Sequence, residues 1–442
     1  MNGQVENNYF EYCEFANRVA RTSNVITTSR IRGPLTEAVL SQALIMAQKR
    51  HPCLNYRIRG SSNSLVLETE GTSKIPLFVL RGSHSARWQD IALEESNKAI
   101  DSGQALLRAL LFYPDNEADI SYLITTIHHG IADALSNIQL HGDVLPYCLD
   151  IVSGNPIEVS SLPVLPPIDN LMPESARGFK GKLNTLLFIL QFGLKQLWYR
   201  PKILQTEQPL PSLELCRSGY VNRQLDAMCT HNLVDCCKRE KVSTHVALCT
   251  AMMLSLARKI ESNTQNAVSM SCCTTISLRK SLEQIIGREH IGMLSSCIIS
   301  HQTLKPNTSF WELARGLKQK LQYRLMEPDP FIQLLMTSRK MAASFVKNPN
   351  KVMSLSVLAG SLQANIPESY GEFELEEIHL TAAAAVHGGT LCGGAIAFRK
   401  KLSLNFFYSE SSISRHTMES LADSVTFYLS EACKQKLEPT LV

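Results

Sequence analysis

At 442 residues the chain exceeds what one ordinary core organises, and at roughly 100–200 residues per domain its length predicts two domains or one large double one. Its 44% hydrophobic and 19% charged residues supply material for packed cores and too little charge for a disordered protein. The net charge of +4, from 44 basic and 40 acidic residues, comes without any long lysine or arginine cluster, which excludes the electrostatic footprint of a nucleic-acid binder.

Met1 to Phe10 is polar and lacks the basic-then-apolar order of a secretory signal. Val39, Leu40, Ala43, Leu44 and Ala47 recur at intervals of three and four, which predicts a helix over Thr36 to Arg50, ended by His51 and Pro52. A strand over Leu54 to Ile58, a turn at Gly60 to Asn63 and a second strand at Leu65 to Leu67 read as a hairpin. A helix over Trp88 to Ile100 follows. Strands at Leu106 to Phe112 and Ile120 to Ile127, separated by a Pro114-Asp115-Asn116 turn, lead into a helix over Ala134 to Leu149. Mixed α/β structure is the expectation for this half.

Asn155 to Pro173 holds five prolines and little periodicity, so it reads as a crossover between two halves: residues 1–154, a linking stretch 155–180, and residues 181–442. Leu183 to Tyr199 resembles a membrane segment but is interrupted by Asn184, Gln191, Gly193, Lys195 and Gln196, short of the roughly 20 apolar residues a span needs. Two readings stand: a helix half-buried against the second half, or a movable cover whose greasy surface meets a lipid-like acceptor or a membrane, with Lys180, Lys182, Arg200 and Lys202 at its ends. Beyond it come a helix at Thr244 to Arg258 with Ser243 as N-cap, strands at Ala267 to Ile276 and Cys297 to Gln302, a helix at Ser309 to Leu325 before Pro328, strands at Leu391 to Phe398 and Leu402 to Tyr408, and a closing helix at His416 to Lys436. The thirteen cysteines are an odd, scattered set with no recurring CxxC at zinc-ligand spacing, as expected of reduced, buried thiols in a cytoplasmic protein.

The most informative stretch is His128-His129-Gly130-Ile131-Ala132-Asp133-Ala134-Leu135-Ser136, where a strand gives way to a short loop and a helix. Loop tips held by rigid elements are where catalytic groups usually sit. Neighbouring strand residues point to opposite sides, so one histidine faces a cavity and the other the scaffold. A histidine near its unperturbed pKa suits proton removal from an alcohol or amine at neutral pH. Asp133 caps the helix or folds back to an arginine, fixing the loop in either case.

The residues alone leave a second reading open, in which the histidines are satisfied core groups. No metal is expected, because HExxH is absent and two adjacent strand side chains do not converge on one ion. There is no G-x-S-x-G elbow for a hydrolase, and no GxxxxGK or GxGxxG for a nucleotide. Cys392, within His387-Gly388-Gly389-Thr390-Leu391-Cys392-Gly393-Gly394, is a rival nucleophile, unless those glycines mark a bulge or close packing.

HHGIADALS resembles the HHxxxDG signature of the condensation-domain and chloramphenicol-acetyltransferase-like acyltransferase superfamily, nearest its polyketide-associated and alcohol O-acyltransferase members. Arg50-His51-Pro52 with Leu54 is similar to that family's first helix and strand, Thr275-Ile276-Ser277-Leu278-Arg279 with Ile291-Gly292 to its second-half strand and loop, and Leu402 to Tyr408 with the closing helix to its ending. The DFGWG motif of the plant branch is missing, and Ala134 stands where glycine is usual, a change tolerated while φ stays negative.

The resemblance implies an α/β fold of two such subdomains, each a mixed sheet with flanking helices, meeting at a central tunnel. It implies His129 as the base, His128 as a supporting residue, and Asp133 as a structural one paired with Arg279. It also implies direct attack on a thioester without an acyl-enzyme. The co-substrate is then acyl-CoA or a phosphopantetheinyl carrier protein, with no bound cofactor and no metal. The acceptor is the hydroxyl of a hydrophobic molecule in lipid, polyketide or other secondary metabolism. An amide-forming, stand-alone condensation domain acting on an amine, and a catalytically silent binding protein of the same fold, are the alternatives.

Overall fold

The structure, a computed structural model, describes residues 3–4, 8–60, 65–72, 74–82, 87–115, 117, 119–209, 211–261, 266–326, 330–332 and 355–434. The first half runs β1 (Gly3–Gln4), α1 (Asn8–Ala20), β2 (Asn24–Arg32), α2 (Glu37–Arg50), β3 (Arg57–Arg59), β4 (Val66–Glu68), β5 (Leu77–Arg81), α3 (Trp88–Ser96), β6 (Leu107–Tyr113), β7 (Ile120–His128) and α4 (Ala134–Ser153). Helices α5 (Ile168–Leu171) and α6 (Gly178–Tyr199) lead into β8 (Ser218–Leu225), α7 (Ala227–Arg239), α8 (Thr244–Ile260), β9 (Val268–Ser277), β10 (Ser295–Leu304) and α9 (Phe310–Leu325). The described chain then continues with β11 (Val357–Gln363), β12 (Ser369–Tyr370), β13 (Phe373–Ala382), β14 (Leu391–Phe398), β15 (Lys401–Ser409) and α10 (Arg415–Lys434).

Helix starts follow from side-chain caps. Thr36, Ser243 and Ser309 each accept a backbone N–H from the residue three positions on, satisfying a donor the helix itself leaves free. The strand expected from Leu54 begins only at Arg57, because Pro52 opens a 3-10 turn over Pro52–Asn55. β3 and β4 still pair antiparallel as a hairpin. Residues 61–63 of its turn, Asn116, Pro328 and the last two residues expected in the closing helix lie outside the described residues.

Two six-stranded mixed sheets organise the molecule, ordered β12-β13-β2-β7-β6-β5 and β10-β9-β11-β14-β15-β8. In the first, every residue of β7 is buried, since the strand has neighbours on both edges and covered faces on both sides. α2 and α4 bury Leu40, Leu44, Ile138 and Leu145 in its core. In the second, α8 contributes Leu248, Met252 and Leu256 to a core shared with Leu421 and Val425 of α10. A third cluster joins Ile26, Trp88 and Tyr122 of the first lobe to Tyr220, Cys392 and Phe407 of the second.

Both sheets draw strands from the second half of the chain. β12 and β13 belong to the first sheet, where β13 runs antiparallel to β2 from the Leu375–Ile31 pair to Ala382–Val25. Phe373, Leu375 and Ile378 enter the first lobe's core, so residues 369–382 cross back from the second half. The crossover itself packs Ile168, Leu171 and Met172 against Leu278, Leu282 and Leu294.

Candidate active site

β7 ends at His128, and α4 begins at Ala134, with Asp133 as its N-cap accepting the Ser136 N–H at 2.8 Å. The intervening turn is pressed under α1. A Cβ on Gly130 would come 2.7 Å from the Phe10 ring and 2.9 Å from His128 Nδ1, so only glycine fits this approach. Arg21 and Ser23 take left-handed φ values of 50° and 66° between α1 and β2, and the Ser23 carbonyl accepts the His129 N–H at 3.2 Å.

His128 is fully buried. Its Nδ1 accepts the Gly130 N–H at 3.1 Å, which places the proton on Nε2. Nε2 lies 3.2 Å from Glu14 Oε2, its N–H facing the carboxylate off the line of a well-aligned hydrogen bond. Burial pushes the Glu14 carboxyl up, but His128, Ser102 and Arg18 together outweigh it and hold the carboxyl below its ordinary value. Ser102 Oγ donates to Glu14 Oε1 at 2.7 Å.

His129 is half-buried, its ring edge-on to Tyr9 with centroids 5.8 Å apart. Its Nδ1 stands 2.9 Å from the Ala132 carbonyl oxygen. A carbonyl only accepts, so Nδ1 carries the proton and Nε2 keeps a lone pair. Burial lowers the imidazole's pKa, against the raising influence of the Ala132 carbonyl and Asp133. The ring is therefore neutral at pH 7 with a basic nitrogen available. His141 shows the contrasting case of a satisfied core histidine, flanked by Ser29 and Thr125 at 2.7 Å each and pushed down by burial to about 3.

Asp133 caps the helix and also meets the arginine; the two alternatives left by the sequence coexist. Arg279 Nη1 is 2.7 Å from Asp133 Oδ2, and Nη2 is 3.3 Å from Oδ1 and 2.8 Å from Ser136 Oγ. The Asp133 N–H donates to Gly292 O, Gly292 N–H donates to Ser136 Oγ, and Leu294 N–H donates to Asp133 Oδ2. The motif loop is thus bonded to the 279–294 segment of the second half. Ala134 opens a regular helix, so it makes no demand for glycine.

Cys392 is buried in the cluster between the lobes, and burial pushes its thiol up to about 12. That leaves it protonated and a poor nucleophile at neutral pH. A cleft of about 720 Å³ lined by Gly33, Thr36, Arg81, Tyr113 and Asp119 opens elsewhere. It sits at the Ile120 end of β7, about 26 Å from His128 at roughly 3.3 Å per residue. Among the described residues no group of three or more His, Cys, Asp or Glu side chains could hold a metal ion.

Sequence reading missed Tyr9 and Glu14, both on α1. The signal was a stripe of Phe10, Cys13, Glu14 and Asn17 at helical spacing, in which a carboxylate occupies a core position.

Residues 217–357 match a family model described as the C-terminus of phthiocerol/phthiodiolone dimycocerosyl transferase. No curated protein matches the chain significantly. Among solved structures, the trichothecene 15-O-acetyltransferase TRI3 from Fusarium sporotrichioides is similar at 12% identity and TM-score 0.77, over 98% of this chain and 95% of that one. Polyketide synthase associated protein 5 from Mycobacterium tuberculosis is similar at 14% identity and TM-score 0.68, over 98% and 100%. The starter condensation domain of rhizomide synthetase, in complex with C8-CoA, is similar at 13% identity and TM-score 0.71, over 99% and 97%. The chain has the two-lobed fold of condensation domains and chloramphenicol-acetyltransferase-like acyltransferases, in agreement with the resemblance carried by its motif.

Proposed function

We propose that the chain is an acyltransferase that moves an acyl group from a thioester, acyl-CoA or the phosphopantetheine arm of a separate carrier protein, to the hydroxyl of a hydrophobic acceptor. The observation that carries this reading is the His129 tautomer: Nδ1–H donates to the Ala132 carbonyl, leaving Nε2 as a base on a ring that burial keeps neutral. In the reaction, Nε2 takes the acceptor's O–H proton as the oxygen attacks the thioester carbonyl. The C–S bond then breaks, and the thiolate leaves with the proton returned from Nε2. No acyl-enzyme is needed, and general-base assistance of this kind contributes roughly 10²–10⁴-fold. His128 and Glu14 hold the turn from one side, Asp133 and Arg279 from the other. Donor and acceptor would reach the base by opposite mouths of a tunnel between the lobes.

Support for an O-acyl product comes from the similarity to TRI3, a 15-O-acetyltransferase, and support for an acyl-CoA donor from the C8-CoA complex of the rhizomide domain. The similarity to condensation domains favours the second reading, an amide product from an amine acceptor. Incubation with acyl-CoAs and acyl carriers against alcohols and amines, read by free-thiol release and product mass, separates them. Ester formation lost in His129→Ala is the expected result, amide formation establishes the second reading, and ligand binding without thiol release with any pair makes the chain a silent binder.

A further inference from the structure

α6 is built inside out. Its inner stripe, set against the 3-10 turn at Glu174–Ala176 and edge strand β10, includes the polar residues Asn184, Thr185 and Gln196 beside Phe188 and Phe192. At 100° per residue, Phe179, Leu183, Leu187, Leu190, Leu194 and Trp198 fall within an outward arc of about 120°. Each of them is exposed, Trp198 at 85%. Within this helix only Gly181 and Phe188 are buried. A surface helix normally turns its apolar face to its own core, and among the described residues nothing covers this one.

Charge identifies the occupant of this face. From Ser175 to Thr206 the sequence carries six basic residues and no acidic one. Lys180 and Lys182 flank one end of the stripe, and Arg200 and Lys202 follow the other. A second copy seated face to face would oppose these cations to one another. A bilayer carrying anionic headgroups satisfies both features, taking the leucines below the headgroups and the basic ends among them, with Trp198 at the boundary. No helix among the described residues is long and apolar enough to cross a membrane, so α6 lies along the surface.

We propose that α6 is an interfacial helix that seats the protein on anionic lipid surfaces. This stands whether or not the chain transfers acyl groups. The chain carries its own reporter: of its three tryptophans, Trp88 and Trp311 are buried and Trp198 is exposed. Full-length protein is mixed with vesicles of phosphatidylcholine, alone or with phosphatidylglycerol, and followed by flotation and tryptophan emission. The expected result is flotation and a blue shift with the anionic vesicles, at least tenfold weaker binding to neutral ones, and weakening by salt. Leu190→Glu with Leu194→Glu should abolish flotation while leaving the circular dichroism and melting temperature unchanged, since neither side chain is packed. Lys180→Gln with Lys182→Gln should weaken anionic binding severalfold, an independent check should the first variant misfold. Absence of flotation, equal binding to both vesicles, or undiminished binding by both variants overturns the proposal. So does a vesicle-free dimer that Leu190→Glu with Leu194→Glu dissociates, which would give the face to a second copy.

Discussion

Arg279 Nη1 lies 2.7 Å from Asp133 Oδ2, and both side chains are buried. The pair ties the loop after β7 to a segment nearly 150 residues on, and its strength depends on neither charge being left alone. Removing one partner of such a pair costs about 3–5 kcal/mol. Asp133→Ala should cost more than Arg279→Ala. Among the described residues the stranded guanidinium keeps Ser136 Oγ and the His290 carbonyl at 3.4 Å, whereas the stranded carboxylate keeps donors from the Ser136 N–H, the Ser136 hydroxyl and the Leu294 N–H. Denaturant midpoints of the two single variants and the double one check this, the double falling well short of the sum.

His129→Ala should reduce acyl transfer by roughly 10²–10⁴-fold with little change in melting temperature, the signature of a lost general base. The pH profile adds a second check. The base works only when neutral, and burial places its pKa below the ordinary histidine value of about 6.5. The acid limb of turnover should therefore be centred below pH 6.5. An acid limb centred at or above 6.5 would mean that the titrating group is not this imidazole.

Glu14→Gln tests the support beneath the turn. The folded pKa of Glu14 is lowered, so its contribution is fully present above the unfolded value of about 4.3 and is lost as pH falls through the folded pKa. The variant should be less stable than wild type by about 1.5–3 kcal/mol at neutral pH, the range for hydrogen bonds to a charged group. The difference should narrow in acid, as urea melts between pH 7 and pH 3 would show. Because Glu14 acts through His128 on the turn, kcat should fall modestly and KM little.

Cys392→Ala should retain transfer activity. The thiol, pushed up to about 12 by burial, is both protonated and out of reach of solvent at neutral pH. Iodoacetamide at pH 7.5, followed by peptide mass mapping, should leave it unmodified in the native protein. A trapped acyl-cysteine at this position would replace direct transfer with a two-step scheme.

Local chemistry explains which parts of the molecule could be read in advance. α2, α8 and α9 carry hydrophilic caps followed by unbroken apolar periodicity, and β14 and β15 are apolar runs bounded by turns, so pattern and structure coincide. α1 escaped because its inner face carries Glu14 and Asn17, which serve His128, Ser102 and the backbone of Ile100 rather than a greasy core. β13 escaped because Glu374, Glu376 and Glu377 dilute its pattern. Their role is tertiary, with Glu376 meeting Arg30 and Arg32 on β2 and Glu374 meeting Arg399. The motif itself was legible, and the resemblance it carries pointed to Arg279 and Ile291-Gly292, but residues 9–23 also surround it, and no spacing rule connects segments so far apart.

The return of β13 to the first sheet has a consequence for how the protein is made. Until residues 373–382 leave the ribosome, β2 is an open edge presenting a row of unpaired N–H and C=O groups beside an incompletely covered core. The first lobe therefore waits through most of the synthesis of the second for its last large strand, and throughout that interval its exposed edge is a template for pairing with other nascent chains. A fragment ending at the proline-rich crossover would keep that edge permanently, which makes it a poor candidate for an independently soluble half.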